Sequence, residues 1–145
     1  MKVKVFKNRQ RLPLKRQEIV KLVERVVREE APERGGEVSV IFLQDKDMVS
    51  LNRQFLNHDY PTDVLAFNLE ENPGEALEGE IYVGFEQAKR QAGEWDVPFR
   101  QELQRLIVHG MLHLLGWEDD TPAKKKKMAK REDDFLFEIS NKHGG

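Results

Sequence analysis

Apolar and polar positions first alternate along this chain and then change to a helical spacing. Residues 2–6 alternate valine with lysine, which predicts a half-buried strand. The next apolar residues recur three or four positions apart, on one face of a predicted helix. They are Ile19, Leu22, Val23, Val26 and Val27. Pro32 and the glycines at 35–36 are expected to end this helix.

Three further strands are predicted in the first half of the chain and just beyond it. β-Branched and apolar residues at 38–43 predict a central strand, after which Asp45 is expected to cap a short helix. A loop at 57–61 then leads to a third strand at 64–67. A fourth strand is predicted at 81–83.

The rest of the chain is predicted to be mostly helical. A helical pattern starts at residue 85 and breaks near 96–98. A second helix over 99–115 is expected to stop at Gly116, since glycine is favoured just after a helix end. The threonine and proline at 121–122 are suited to begin the last helix, as its cap and its first residue.

The order of these elements predicts an α/β (α+β) fold in one domain spanning residues 1–145. Four strands interrupted by helices fit a single four-stranded mixed sheet with about five helices packed on it. A chain of 145 residues fits one hydrophobic core, and its 39% apolar and 34% charged residues are typical of a globular domain.

The composition excludes several kinds of site. The chain contains no cysteine, so disulfides, thiolate metal sites and cysteine nucleophiles are excluded. The start lacks the apolar stretch of a secretory signal, and no run approaches the ~18 apolar residues needed to cross a bilayer. We therefore expect a cytoplasmic protein with no membrane partner.

The net charge of −2 hides an asymmetry along the chain. Residues 1–28 carry ten Lys and Arg against Glu18 and Glu24, a net charge of +8, which leaves −10 for the remaining residues. Such a basic segment is either a local phosphate-binding patch or the solvated surface of a strand and a helix.

The candidate chemistry lies in the predicted helix over 99–115. His109 and His113 are four residues apart within an apolar stretch, so both project from one face of a largely buried helix. Burying two imidazoles costs several kcal/mol unless their nitrogens find partners. A divalent metal would satisfy both rings, since imidazole is a common zinc ligand, while backbone carbonyls or carboxylates are the alternative partners.

Three carboxylates follow this helix directly. Glu118, Asp119 and Asp120 come just after Gly116, where the chain must turn, so one of them can return towards the two rings. Two histidines and one carboxylate leave a fourth coordination position open, as in catalytic zinc sites.

Gly110 lies between the two histidines. Glycine inside a helix costs about 1 kcal/mol relative to alanine, so substrate or another backbone segment is expected to pack close to it. The spacing also resembles the zinc-protease signature H-E-x-x-H, but Gly110 stands where that signature has its catalytic glutamate. A metalloprotease is therefore disfavoured.

The helix and its surroundings resemble a known family. Residues 109–117 read H-G-M-L-H-L-L-G-W and resemble the signature H-G-x-L-H-L-x-G-[YW]-D-H of the YbeY family of endoribonucleases and ribosomal RNA maturation factors. Further family motifs are matched along nearly the whole chain: L-N at 51–52, P-T-D-V-L-A-F at 61–67, G-E-I at 79–81, and Met128 with Glu132. In that family three histidines bind a metal, usually assigned as zinc.

The resemblance implies a function. It implies a single-strand-specific, metal-dependent endoribonuclease that matures the 3′ end of small-subunit ribosomal RNA and acts in ribosome quality control. The implied partners are RNA, the ribosome and ribosome-associated factors, with no DNA expected. A zinc metalloprotease-like hydrolase and a non-catalytic ribosome-assembly factor with a structural metal are the alternatives, and four protein ligands would favour the structural role.

The chain departs from the family pattern at the third histidine, which falls on Asp119. A carboxylate can bind zinc, so His109, His113 and Asp119 are expected to be the metal ligands and the catalytic residues. Zn²⁺ is the expected cofactor, one per chain, and the carboxylate also suits a harder divalent ion such as Mn²⁺.

Three more residues are candidates at the edge of the site. The family's arginine after an aromatic residue is replaced by Leu56, which leaves Arg53 as a substitute for contacting RNA. Asp63 is either a substrate contact facing the cleft or a turn residue bonding its own backbone. Glu132 either orients a metal-bound imidazole or anchors its helix through a hydrogen bond.

Overall fold

The elements agree closely with those predicted from the sequence. The structure is a computed structural model that describes residues 1–56, 62–72 and 74–144. The elements are β1 (Lys2–Phe6), α1 (Arg16–Glu30), β2 (Gly36–Leu43), α2 (Asp45–Leu56), β3 (Val64–Asn68), β4 (Leu77–Gly84), α3 (Phe85–Glu94), α4 (Phe99–Leu114) and α5 (Pro122–Gly144). The loop predicted at 57–61 lies outside the described residues.

The four strands form one mixed sheet in the order β1-β2-β4-β3. β1, β2 and β4 are parallel, and β3 is antiparallel to β4. At the centre of the sheet, Val40 of β2 lies between Val5 of β1 and Ile81 of β4. The predicted fold class, a single four-stranded mixed sheet with five helices, is confirmed for the described residues.

The hydrophobic core lies between the sheet and the helices. Buried side chains of β2 and β4 form one cluster with those of α1 and α4. α4 lies at the middle of this layer, because it packs against α1, α3 and α5 as well as β3 and β4. This central position explains why its sequence is apolar on nearly every side. No helix in the described ranges is long and apolar enough to span a membrane.

Gly110 allows α4 to lie close to β4. A Cβ atom at Gly110 would lie 2.7 Å from Cγ2 of Ile81, whose side chain is fully buried. The expectation that substrate or a backbone segment packs against Gly110 is therefore wrong, since the neighbour is the side chain of a core strand residue. The glycine is needed for packing between helix and sheet.

We expect Gly110→Ala to lower the free energy of unfolding by about 1–2 kcal/mol, since overpacking outweighs the gain in helix propensity. Gly93 is a matched control, because it also lies in a helix but a Cβ there would meet nothing within 4 Å. Gly93→Ala should raise the free energy of unfolding by up to about 1 kcal/mol. Urea unfolding of both variants measures these changes, and equal effects would contradict the proposed packing role.

The predicted helix starts are confirmed in one case and wrong in another. The hydroxyl of Thr121 accepts a hydrogen bond from the backbone N–H of Lys124 at 3.2 Å, and α5 begins at the following Pro122. Asp45, in contrast, does not cap α2, because it is the first residue of that helix and its carboxylate accepts two hydrogen bonds from Arg90, at 2.8 and 2.9 Å. Asp45 therefore joins α2 to α3.

Candidate metal centre

The two histidines of α4 meet on one face of the helix, as predicted. The Nε2 atoms of His109 and His113 lie 3.0 Å apart, and the rings are nearly perpendicular, with an interplanar angle of 81°. The side chains are 25% and 32% exposed, so solvent reaches both rings although most of the helix is buried.

The other nitrogen of each ring has an acceptor of its own. Nδ1 of His109 lies 2.7 Å from a carboxylate oxygen of Glu132, and Nδ1 of His113 lies 3.1 Å from the backbone carbonyl of Trp117. A carbonyl oxygen can only accept, and an ionised carboxylate likewise, so both Nδ1 atoms carry the proton. In the neutral rings, both Nε2 atoms then direct a lone pair into the same space.

The turn that ends α4 supplies the acceptor for His113. Gly116 has a φ of 99°, a left-handed conformation that favours glycine. Its N–H donates to the carbonyl of His113 at 3.1 Å, and the N–H of Trp117 donates to that of Leu112 at 2.9 Å. These two hydrogen bonds form a Schellman motif, which turns the chain back towards α4. The glycine that was predicted to end the helix thereby places the Trp117 carbonyl at His113.

Asp119 is the carboxylate that this turn brings to the rings. Its Oδ2 atom lies 3.5 Å from Nε2 of His109 and 3.4 Å from Nε2 of His113. Its neighbours Glu118 and Asp120 face another way, since both form ion pairs with Lys124, at 2.6 and 3.3 Å. Of the three carboxylates that the sequence left open, the structure places Asp119 at the histidines.

The three converging atoms fit a divalent cation. When both rings are neutral, the two Nε2 lone pairs and the carboxylate oxygen are all acceptors, and at 3.0–3.5 Å they require a shared positive charge, which a divalent cation supplies. Bonds of about 2.0–2.1 Å in a tetrahedral zinc site imply distances of about 3.3–3.4 Å between ligand atoms. The observed separations are close to that spacing. Among the residues that the structure describes, His109, His113 and Asp119 form the group of side chains that could hold a metal ion.

The electrostatic surroundings of His109 also favour a positive charge. Burial acts to lower the pKa of the ring, but the hydrogen bond and charge of Glu132 and the charges of Asp119 and Asp63 outweigh burial, so the pKa of His109 is raised. The same carboxylates would stabilise a divalent ion held by the ring.

Glu132 makes contacts that fit both of the roles predicted for it. It is a buried residue of α5 that accepts from His109 and also pairs with Nη1 of Arg105 at 3.4 Å. The contact with His109 fixes the ring orientation, and the pair with Arg105 anchors α5 to α4. Arg105 contacts the neighbouring Asp133 as well, at 2.9 Å.

We expect Glu132→Gln to weaken metal binding about 10- to 100-fold, because loss of the carboxylate that orients a metal-bound imidazole typically has this effect. Asp133→Asn is the matched control, since Asp133 is the adjacent carboxylate, pairs with the same Arg105 and is 63% exposed. A chelator competition assay measures both affinities. Equal affinities for the two variants would contradict the role of Glu132 in orienting His109.

Asp63 makes the turn contact and a second contact, with the side chain of Gln91. Its Oδ1 accepts from the backbone N–H of Val64 at 2.8 Å, which is the turn role considered for it. Its Oδ2 accepts from the side-chain amide of Gln91 at 3.3 Å. The same amide donates to Glu102 at 2.9 Å. The carboxylate of Asp63 is thus held in place while its charge acts on His109.

Gln91 and Glu102 were not identified from the sequence. Glu102 is only 1% exposed, and burial raises its pKa, which the hydrogen bond from Gln91 and the charge of Arg105 only partly oppose. Its position offered a signal, because a glutamate seven residues before His109 lies on the same face of a buried helix. Gln91 had no such signal, since it comes from α3 and meets Glu102 only through packing.

Arg53 is exposed in the last turn of α2. The side chain of Leu56 and the following loop lie outside the described residues. The role of Arg53 as a substitute for the family's arginine therefore stays a prediction.

Comparison with known proteins agrees with the motifs. A family model described as "Endoribonuclease YbeY" matches residues 4–140. A relative of that name from Salinibacter ruber is 44% identical over 104 residues, which is 66% of each chain. Another, from Chloroherpeton thalassium, is 38% identical over 128 residues, covering 88% of this chain and 87% of the relative.

A solved structure is similar over nearly the whole chain. The solution structure of TM1509 from Thermotoga maritima superposes with a TM-score of 0.63 at 26% sequence identity. The match covers 97% of this chain and 90% of the other. The similarity therefore extends over the sheet and over the helices that carry the site.

Proposed function

Because the chain belongs to the YbeY endoribonuclease family, we propose that it is a metal-dependent endoribonuclease whose metal is held by His109, His113 and Asp119. The observation that carries this proposal is the convergence of three ligand atoms at a place that solvent can reach. The three ligands among the described residues, with side chains a quarter to a third exposed, leave a coordination position for the substrate.

The residues around the metal have distinct roles in this proposal. A divalent ion in such a site polarises a phosphoryl oxygen and activates water. Glu132 and the Trp117 carbonyl hold the two imidazoles in the tautomer that binds metal. Asp63, fixed by Gln91, is a carboxylate close enough to affect His109 and is proposed to contact the substrate.

A protease of the H-E-x-x-H type is disfavoured by the packing of α4. Position 110, where such an enzyme carries its catalytic glutamate, is buried against the sheet. Even a Cβ atom there would lie 2.7 Å from Ile81. A glutamate at this position would therefore point into the core and away from the metal ligands. The structural-metal alternative is disfavoured in turn because the ligand set has three members among the described residues, whereas structural zinc sites have four protein ligands.

The finer assignments rest on the ligand chemistry and on the family motifs. Two imidazoles and a carboxylate at tetrahedral spacing suit Zn²⁺, and we propose it as the cofactor. The motifs shared with the family support small-subunit ribosomal RNA as the substrate, the ribosome and its associated factors as partners, and a cytoplasmic location.

Assaying the metal-loaded protein on four substrates tests the function. We expect cleavage of single-stranded RNA, and no cleavage of the same sequence as duplex RNA, as single-stranded DNA, or of casein. The ribonuclease activity should be lost in His109→Ala, which excludes a contaminant. Casein cleavage that survives purification and disappears in His109→Ala would overturn the proposal in favour of a protease.

A further inference from the structure

A groove of about 500 Å³ lies between α1 and the second half of α5, with α4 at its floor. Its lining includes four basic residues of the N-terminal segment, which the sequence marked as a phosphate-binding candidate. They are Lys15, Lys21, Arg25 and Arg28, and the floor includes Gln104 and Ile139. We call this feature the basic groove. Its volume lies within the range of pockets that bind small molecules.

The cations of the basic groove are available for a ligand. Lys21, Arg25 and Arg28 are spaced four and three residues apart, so they share one side of α1. None of them forms an ion pair with another residue in the part of the chain that the structure describes. The groove also contains Glu18 and Glu24, but Glu18 is already paired with Arg100. The groove therefore keeps an excess of positive charge.

The floor of the basic groove suits a nucleobase. Gln104 is only 8% exposed and lines the groove, and among the described residues its amide has no hydrogen-bond partner. The amide of Gln104 is therefore open to hydrogen bonds from a ligand in the groove. Leu22 and Ile139 add apolar surface beside it. This arrangement suits a nucleic-acid strand whose phosphates contact the basic side chains and whose base, turned into the groove, contacts the amide of Gln104.

The basic groove is separate from the metal centre. Gln104 precedes His109 by five residues, which places it about 7.5 Å away along α4 and about 140° around the helix axis. Ion pairs of Arg131 with Glu29 and Glu30 join α5 to the end of α1. The lining of the groove and the metal ligands share no residue.

We propose that the basic groove binds single-stranded RNA at a distance from the cleaved bond, with Lys21, Arg25 and Arg28 on phosphates and Gln104 on a base edge. The choice of RNA as the occupant rests on the proposed function. Charge complementarity supports it, because a strand passing over three aligned cations neutralises three phosphates. An acidic protein would match the charges as well, but the proposed function favours RNA as the occupant.

Binding of labelled single-stranded RNA of about 20 nucleotides, measured by fluorescence anisotropy across a salt titration, tests the proposal. Lys21→Gln/Arg25→Gln should bind RNA about five- to tenfold more weakly, and the slope of log affinity against log salt should fall by about 1.4, since each lost phosphate contact contributes about 0.7. Gln104→Leu should weaken binding about threefold and leave the slope unchanged, since it removes no charge.

Lys46→Gln/Lys89→Gln is the matched control, because both lysines are exposed on other helices and the net charge changes equally. It should bind RNA as the parent does. Parental affinity and slope in Lys21→Gln/Arg25→Gln would overturn the proposal and favour another class of partner. Equal losses in both double variants would overturn it as an effect of net charge alone.

Cleavage of bis(p-nitrophenyl) phosphate separates this proposal from the proposed function. This small diester can reach the metal but cannot span both sites, so its cleavage should be unchanged in Lys21→Gln/Arg25→Gln. If the parent binds RNA through the basic groove but cleaves no RNA, the function fails and the groove proposal stands. If RNA is cleaved but the groove variants bind as the parent does, the groove proposal alone fails.

Discussion

His113→Ala is expected to release the metal and to lower ribonuclease activity by more than about 100-fold. The variant removes one of the three ligand atoms found among the described residues and leaves those of His109 and Asp119. Loss of a residue that merely orients a ligand weakens metal binding about 10- to 100-fold, so loss of the ligand itself should cost more. Elemental analysis of the dialysed protein gives the stoichiometry, and cleavage of single-stranded RNA gives the activity.

The fold itself should survive this substitution. The His113 side chain is 32% exposed and contacts the Trp117 carbonyl, which water can solvate in its place. Circular dichroism and urea unfolding of the metal-free parent and metal-free variant separate loss of metal from loss of structure. An unchanged metal stoichiometry in a folded His113→Ala would show that this residue is not a ligand.

The strands and helices could be predicted because local periodicity determines them. The alternation at residues 2–6 and the apolar face of α1 both reappear in the structure. The strand order β1-β2-β4-β3 could not be predicted in the same way. β2 pairs with β4 across α2 and β3, and no local pattern encodes a pairing between segments so far apart in sequence. Asp45 shows the same limit, since its partner Arg90 lies on another helix.

In the candidate site, too, some residues could be predicted from local sequence, whereas others are placed by contacts between distant elements. His109 and His113 could be predicted to meet because their spacing within one helix fixes their separation. Local sequence left three carboxylates open, and the turn at Gly116 decides that Asp119 faces the rings. Gln91 is held through contacts between α3 and α4, so sequence alone offered no reason to choose it.

Asp119→Ala is expected to weaken metal binding by about 100-fold or more and to reduce ribonuclease activity to the same extent, since two imidazoles remain as the protein ligands. Asp120→Ala is the matched control. Asp120 is the next residue, carries the same side chain, and pairs with Lys124 on the solvent side. Its removal should leave metal affinity and activity unchanged.

Asp119→His should keep three ligands and restore the histidine set of the family signature. An imidazole is a softer ligand than a carboxylate, so the variant should bind Zn²⁺ at least as well as the parent and discriminate more strongly against Mn²⁺. Competition titrations with both ions measure this preference, and the metal-free variants show whether stability has changed. Loss of metal from Asp120→Ala together with retention in Asp119→Ala would assign the third ligand to Asp120. In that case the turn after Gly116 would have to present the next carboxylate to His109 and His113 when the ion binds.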